Sequence, residues 1–157
     1  MTISVLFVCL GNICRSPTAE VVFRDRVRAA GLEQHILIDS AGTGDWHIGR
    51  APDPRTQDAA AERGYDMSSL RARQVTVDDF ARFDVLLAMD DANLADLVAM
   101  QPPGSSVILK RFLDYAPHSD LREVPDPYYG GEDGFAAVLN LVEEGADGLL
   151  VSLQERL

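Results

Sequence analysis

The sequence predicts an α/β fold: a single doubly wound domain, residues 1–157, with a four-stranded parallel sheet flanked by helices. Three observations predict it. Short continuous apolar runs recur at 4–8, 36–38, 84–89 and 106–109, as in strands buried on both faces. Helical patterns separate them, and strand–helix alternation marks βαβ units. No internal repeat or low-complexity linker divides the 157 residues, a length typical of one domain.

The first strand is Ser4–Val8. Pro17 suits the first position of a helix, and from Thr18 to Ala30 the residues Ala19, Val22, Phe23, Val27 and Ala30 share one face, with Gly31 as C-cap. Ile36–Ile38 is the second strand. Gly42 to Pro54, rich in Gly, Pro and Asp, is a loop. A helix over Thr56–Arg63 closes at Gly64, and Val77–Phe83 is a short helix or turn. Asp84–Met89 is the third strand, Asp91–Met100 a helix stopped by Pro102 and Pro103, and Ser106–Leu109 the fourth strand. Pro117 to Gly134 is a second polar loop, and Phe135–Leu157 the last helix. Ligands of such sheets bind beyond the carboxyl ends of the strands, so a site is expected directly after Val8.

A net charge of −11, with 25 acidic against 14 basic residues, opposes nucleic-acid binding. No run approaches the ~18–20 apolar residues of a membrane span. The N-terminus lacks a basic segment and a small-residue cleavage site and reads as a strand. A cytoplasmic monomer is expected. The cysteines, Cys9 and Cys14, lie five apart with no further Cys and no nearby His, which suits neither a disulfide framework nor a zinc site. No metal or cofactor is expected.

The segment Cys9-Leu10-Gly11-Asn12-Ile13-Cys14-Arg15-Ser16-Pro17 carries the chemistry. A loop entering a helix N-terminus aims unpaired N–H groups inward, and such a nest binds a tetrahedral oxyanion. This local field answers the repulsion that an acidic protein exerts on an anion. Gly11 is read as supplying left-handed backbone, and Arg15 as a bidentate clamp on two oxyanion oxygens. Cys9 at the floor is expected as nucleophile, since helix N-termini favour thiolates. Ser16 is placed to donate to its sulfur. Cys14 shares the nest and is expected to trap an oxidised Cys9 as a disulfide.

Val8 to Pro17 resembles the signature of the low-molecular-weight protein tyrosine phosphatases. The likeness extends through Asp39-Ser40-Ala41-Gly42, Trp46-His47-Ile48-Gly49 and Asp126-Pro127-Tyr128-Tyr129-Gly130. It implies the flavodoxin-like phosphotyrosine phosphatase I fold, cofactor-free chemistry through a cysteinyl-phosphate, and a phosphotyrosine-containing protein as substrate. It also implies Asp126 as general acid and base, Ser40 supporting Asn12 in an unusual backbone conformation that Asn tolerates at positive φ, and Trp46, Tyr128 and Tyr129 flanking the pocket entrance. Leu10 and Ile13 are expected to line the slot. The sequence departs from the family at Leu70, where a histidine that supports the loop is usual. None of the three histidines is expected to be catalytic, and His47 is read as a loop surface residue. Ile13 and the paired tyrosines favour phosphotyrosine over phosphoarginine. The lack of a cysteine after Cys14 opposes a thiol-dependent arsenate reductase. A pure anion-binding module would need no nucleophile or acid.

Overall fold

The computed structural model describes residues 1–127 and 132–157. Four strands, β1 (Ile3–Cys9), β2 (Ile36–Gly42), β3 (Val85–Ala88) and β4 (Ile108–Arg111), form one parallel sheet in the order β2-β1-β3-β4. Among the described residues five α-helices connect and cover it: α1 (Arg15–Ala29), α2 (Pro54–Glu62), α3 (Asp79–Arg82), α4 (Asp91–Met100) and α5 (Glu132–Gln154).

Strand side chains alternate between faces, and β1 shows what each face meets. Ile3, Val5, Phe7 and Cys9 join one core with Ala19, Val22, Phe23 and Val27 of α1 and Val142, Ala146 and Leu149 of α5. Phe7 meets Phe23 and Phe112 edge-on, at centroid distances of 5.8 and 5.4 Å, the geometry that ring quadrupoles favour. Leu6 and Val8 point the other way, into a core with Phe80, Leu86, Ala88 and Leu97. Both faces of β1 are therefore apolar, which explains its unbroken hydrophobic run.

Differences from the expected elements arise where pairing overrides local pattern. β2 continues through Asp39, Ser40 and Ala41 because each residue pairs with β1, ending at Cys9 opposite Gly42. β4 is shifted toward Lys110 and Arg111, which pair with Leu87 and Ala88 at the sheet edge. Charged side chains there discourage pairing with another chain. α1 starts at Arg15, so Pro17 lies inside its first turn, where N–H groups lack intrahelical partners anyway. Ala30, expected on the buried face, is the exposed C-cap. Gly31 has the anticipated positive φ of 72°. Asp53 caps α2 by accepting from the Arg55 N–H at 2.8 Å. α5 begins three residues before Phe135 and ends at Gln154. A 3-10 turn at Phe112–Tyr115 carries no pattern that the sequence reading recognised.

The chain runs from β1 to β2 on one side and later to β3 on the other. The strand order thus reverses at β1, and the crevice beyond the carboxyl ends of β1 and β3 is the switch point where such sheets hold ligands.

Candidate active site

Residues 10–14 make the whole connection from β1 to α1. Among the described residues no side chain caps α1 and its first turn holds no acidic residue, so its amide dipoles act on the loop. The loop is anchored from beneath, where Ile13 and Cys14 pack with Ala72 and Phe135.

Cys9 lies at the base of the loop, 2% exposed. Its Sγ is 3.0 Å from the Ser16 hydroxyl and accepts from the Asn12 N–H at 3.3 Å. Asn12 takes the left-handed conformation expected of it beside Ser40, with φ 57°, while Gly11 is not among the residues with positive φ. Asparagine tolerates this region better than most residues. Gly11 is needed for a different reason: a Cβ there would lie 2.9 Å from the His47 ring. The Asn12 amide donates to Ser16 at 2.8 Å and to Ser40 at 3.0 Å, while its oxygen accepts from the Arg73 N–H at 3.0 Å. Ser40 in turn donates to the buried Glu20 at 2.6 Å, and Arg24 donates to Glu20 at 2.7 Å. The Asn12–Ser40 pairing expected from the resemblance is thus present. Leu70 makes no such bond; it packs half-buried against the core under α1 and α5.

The Arg15 guanidinium crosses the switch point. It donates to Asp90 at 2.6 Å and to the Val124 carbonyl at 3.1 Å, and its other nitrogen is 3.7 Å from Asp126. Burial works against its charge, but Cys9, the Asp90 hydrogen bond and the charges of Asp90 and Asp126 outweigh it and push its pKa up. Asp90 also caps α4, accepting from Asn93 at 2.7 Å. Burial pushes the Cys14 thiol up to about 12, with Asp53, Cys9 and Asp126 adding to it.

These groups surround a cavity of about 350 Å³ lined by Cys9, Leu10, Gly11, Ile13, Cys14, Arg15, Trp46, His47 and Asp126. Trp46 lies at the mouth, 66% exposed. His47 is half-buried and lines the cavity, deeper than the surface position expected for it. Tyr128 and Tyr129 lie outside the described residues. Among the described residues no three His, Cys, Asp or Glu side chains group to hold a metal ion.

Asp90, Glu20 and Arg73 join the site without any signal in the sequence that marks them for it. Asp90 directly precedes α4 in the chain, and nothing in the spacing marks it as the partner of Arg15. Glu20 reads like any glutamate of an amphipathic helix, and only the packing of α1 on β2 buries it. Arg73 serves through its backbone, which no residue pattern reports.

Fold and site together define a class of α/β protein: a Cys–Arg loop at the switch point of a parallel sheet, facing a carboxyl across one cavity. The model of the family described as low molecular weight phosphotyrosine protein phosphatase matches residues 4–157. The low molecular weight protein-tyrosine-phosphatase YfkJ of Bacillus subtilis is 48% identical over 98% of this chain and 97% of its own length. The crystal structure of YfkJ superposes with a TM-score of 0.93 at 46% identity, over 99% of this chain and 97% of that one. A low molecular weight phosphotyrosine protein phosphatase of Schizosaccharomyces pombe is 50% identical over 85% of each chain. The crystal structure of DARP, a drosophila arginine phosphatase, is 31% identical with a TM-score of 0.90, over 96% and 97% of the two chains. The chain belongs to the low molecular weight phosphotyrosine protein phosphatase family.

Proposed function

We propose that this protein hydrolyses phosphotyrosine in protein substrates through a cysteinyl-phosphate. The convergence of Cys9, Arg15 and Asp126 on one cavity carries the reading. In the first step the Cys9 thiolate attacks phosphorus in line. The bond from phosphorus to the tyrosyl oxygen breaks, and that oxygen leaves with the electron pair and takes the proton of Asp126. In the second step a water attacks phosphorus and gives a proton to the Asp126 carboxylate. The P–S bond breaks, the thiolate returns and inorganic phosphate departs. Arg15 and the N–H groups of residues 10–16 hold the equatorial oxygens, which gain charge as each transition state forms. Ser16, in contact with the sulfur, supports it as the leaving group.

Leu10, Ile13 and Trp46 supply an apolar wall for the tyrosine ring, with Tyr128 and Tyr129 assigned to the same entrance. The enzyme is taken to act as a cytoplasmic monomer, without cofactor and without nucleic acid. No described helix is long and apolar enough to cross a membrane.

A second reading, hydrolysis of phosphoarginine, is favoured by the likeness to the drosophila enzyme. Ile13 at the cavity argues for the aromatic ester. The deciding experiment is phosphate release from phosphotyrosine and phosphoarginine peptides in EDTA, with wild type and Cys9→Ser. Turnover of phosphotyrosine that Cys9→Ser abolishes is expected. Turnover of phosphoarginine alone would overturn the substrate, and turnover retained by Cys9→Ser would overturn the mechanism.

A further inference from the structure

Asn12 is the one described non-glycine residue with positive φ, and its side chain is buried. A non-glycine residue held there is kept in place by its surroundings. Both ends of its amide are gripped: the nitrogen by Ser16 and Ser40, the oxygen by the Arg73 N–H. A backbone donor is only as well placed as the segment that carries it. The Arg73 carbonyl accepts from the Gly42 N–H at 2.8 Å, and the Val75 N–H donates to the Gly42 carbonyl at 2.8 Å. The segment therefore lies beside the end of β2.

The Arg73 side chain completes the grip. Its guanidinium donates to Asp39 at 3.1 Å through Nε, and to both oxygens of Asp79 at 3.0 and 3.1 Å through Nη1 and Nη2. The Asp79 side chain is fully buried and also accepts from the Thr76 N–H at 2.8 Å. Asp39 is the neighbour of Ser40 in β2. One forked cation thus ties together the strand that holds the Asn12 nitrogen and the segment that holds the Asn12 oxygen. A bidentate guanidinium fixes orientation as well as distance.

We propose that Arg73 is a positioning residue for the phosphate loop, acting through Asn12 and Ser16; this rests on the phosphatase reading above. When the clamp is lost, the Asn12 amide turns, and the Ser16 hydroxyl it orients loses its place on the Cys9 sulfur. The second chemical step then suffers more than substrate binding.

The test compares wild type, Arg73→Gln, Arg73→Lys and Asp39→Asn, with Arg26→Gln as a control. Arg26 belongs to an ion-pair network between α1 and α5 that does not touch the cavity. Steady-state constants on a phosphotyrosine peptide are measured together with the burst of p-nitrophenol from p-nitrophenyl phosphate, on protein shown to be folded by circular dichroism. Arg73→Gln is expected to lower kcat ~10-fold or more, a size that small misplacements reach, with kcat/KM changed far less, because slowing the second step lowers kcat and KM together. Its steady-state rate should fall further than its burst rate. Arg73→Lys should recover part of the loss, Asp39→Asn should show a smaller fall in the same sense, and Arg26→Gln should lose thermal stability with kcat unchanged. A folded Arg73→Gln with kcat within twofold of wild type overturns the proposal. So does a rise in KM alone, or a fall in kcat that Arg26→Gln shares. Should Arg73→Gln fail to fold, an unchanged kcat in Asp39→Asn has the same force. A wild type with no turnover on either substrate defeats the phosphatase reading itself.

Discussion

Cys9 and Cys14 border the same small loop, yet their surroundings differ. Cys9 lines the cavity with hydrogen bonds aimed at its sulfur. Cys14 is 5% exposed, packed against Phe135 and Ala72, with its thiol pushed up to about 12. A disulfide trap needs the Cys14 thiolate to attack the oxidised Cys9. With the thiol titrating so high, the thiolate fraction rises about tenfold per pH unit through the neutral range. Activity recovered by thiol after peroxide should therefore be small at pH 7 and larger at pH 9 in wild type. In Cys14→Ser it should be lower and insensitive to pH. Equal recovery in the two proteins would refute the redox role, and a flat wild-type profile would refute the account from burial.

At the scale of elements, α5 owes its seat to two glycines. A Cβ at Gly145 would lie 2.7 Å from the Phe112 ring, and one at Gly148 only 1.7 Å from the Tyr115 carbonyl oxygen. The helix therefore lies directly against the 3-10 turn at Phe112–Tyr115. The Tyr115 obstacle is backbone and cannot rotate away. Gly148→Ala should destabilise by roughly 1–3 kcal/mol, the usual cost of overpacking, seen as a lower Tm. Gly134→Ala in the first turn of the same helix meets nothing nearer than 3.7 Å among the described residues and should be neutral or better, given the propensity of alanine. Equal effects at the two positions would show that propensity and not contact decides.

The same scale shows how far local pattern reaches. β1 and β3 were legible because both faces are buried and every residue but Ser4 is apolar. The ends of β2 and β4 were not, because Asp39, Ser40, Lys110 and Arg111 are strand residues only by virtue of their partners. The site divides in the same way. Cys9, Arg15 and Ser16 follow from one motif, and Asp126 from a resemblance. Asp90 and Glu20 could not be chosen from 25 acidic residues, since their roles depend on strands and helices that meet far apart in the chain.

The whole molecule is acidic, and it organises part of that charge. Arg26 joins Asp147 at 2.8 Å and Tyr65 at 3.0 Å, and Tyr65 donates to Glu143 at 2.7 Å. Arg63, just beyond α2, pairs with the same glutamate, so one cluster pins α1, α2 and α5 together. Burial raises the pKa of Glu143, but hydrogen bonds from Tyr65 and Arg63 and the charges of Arg63 and Arg26 outweigh it and hold the carboxyl below its ordinary 4.5. A carboxyl lowered by folding binds fewer protons in the native state than in the unfolded one. Its contribution is complete above the ordinary glutamate range and is lost as pH falls through the folded value. Glu143→Gln should therefore lower Tm at pH 7, and the gap to wild type should narrow at pH 3. Thermal unfolding at the two pH values checks this, and a gap that stays constant would place the effect in packing and not in charge. The cluster is partly exposed, so salt should weaken it.

The sequence by itself determined the parallel α/β layering, the place of the loop after the first strand and the cysteine and arginine that this loop carries. Each of these depends on residues adjacent in the chain, where periodicity and turn chemistry act locally. Only the tertiary structure decided which acid holds Arg15, which carboxylate backs Ser40, and that the Arg73 N–H meets the Asn12 oxygen. Those assignments depend on groups brought together by sheet order and helix packing, and hydrogen bonds that act over about 3 Å leave no trace in the spacing of residues along the chain.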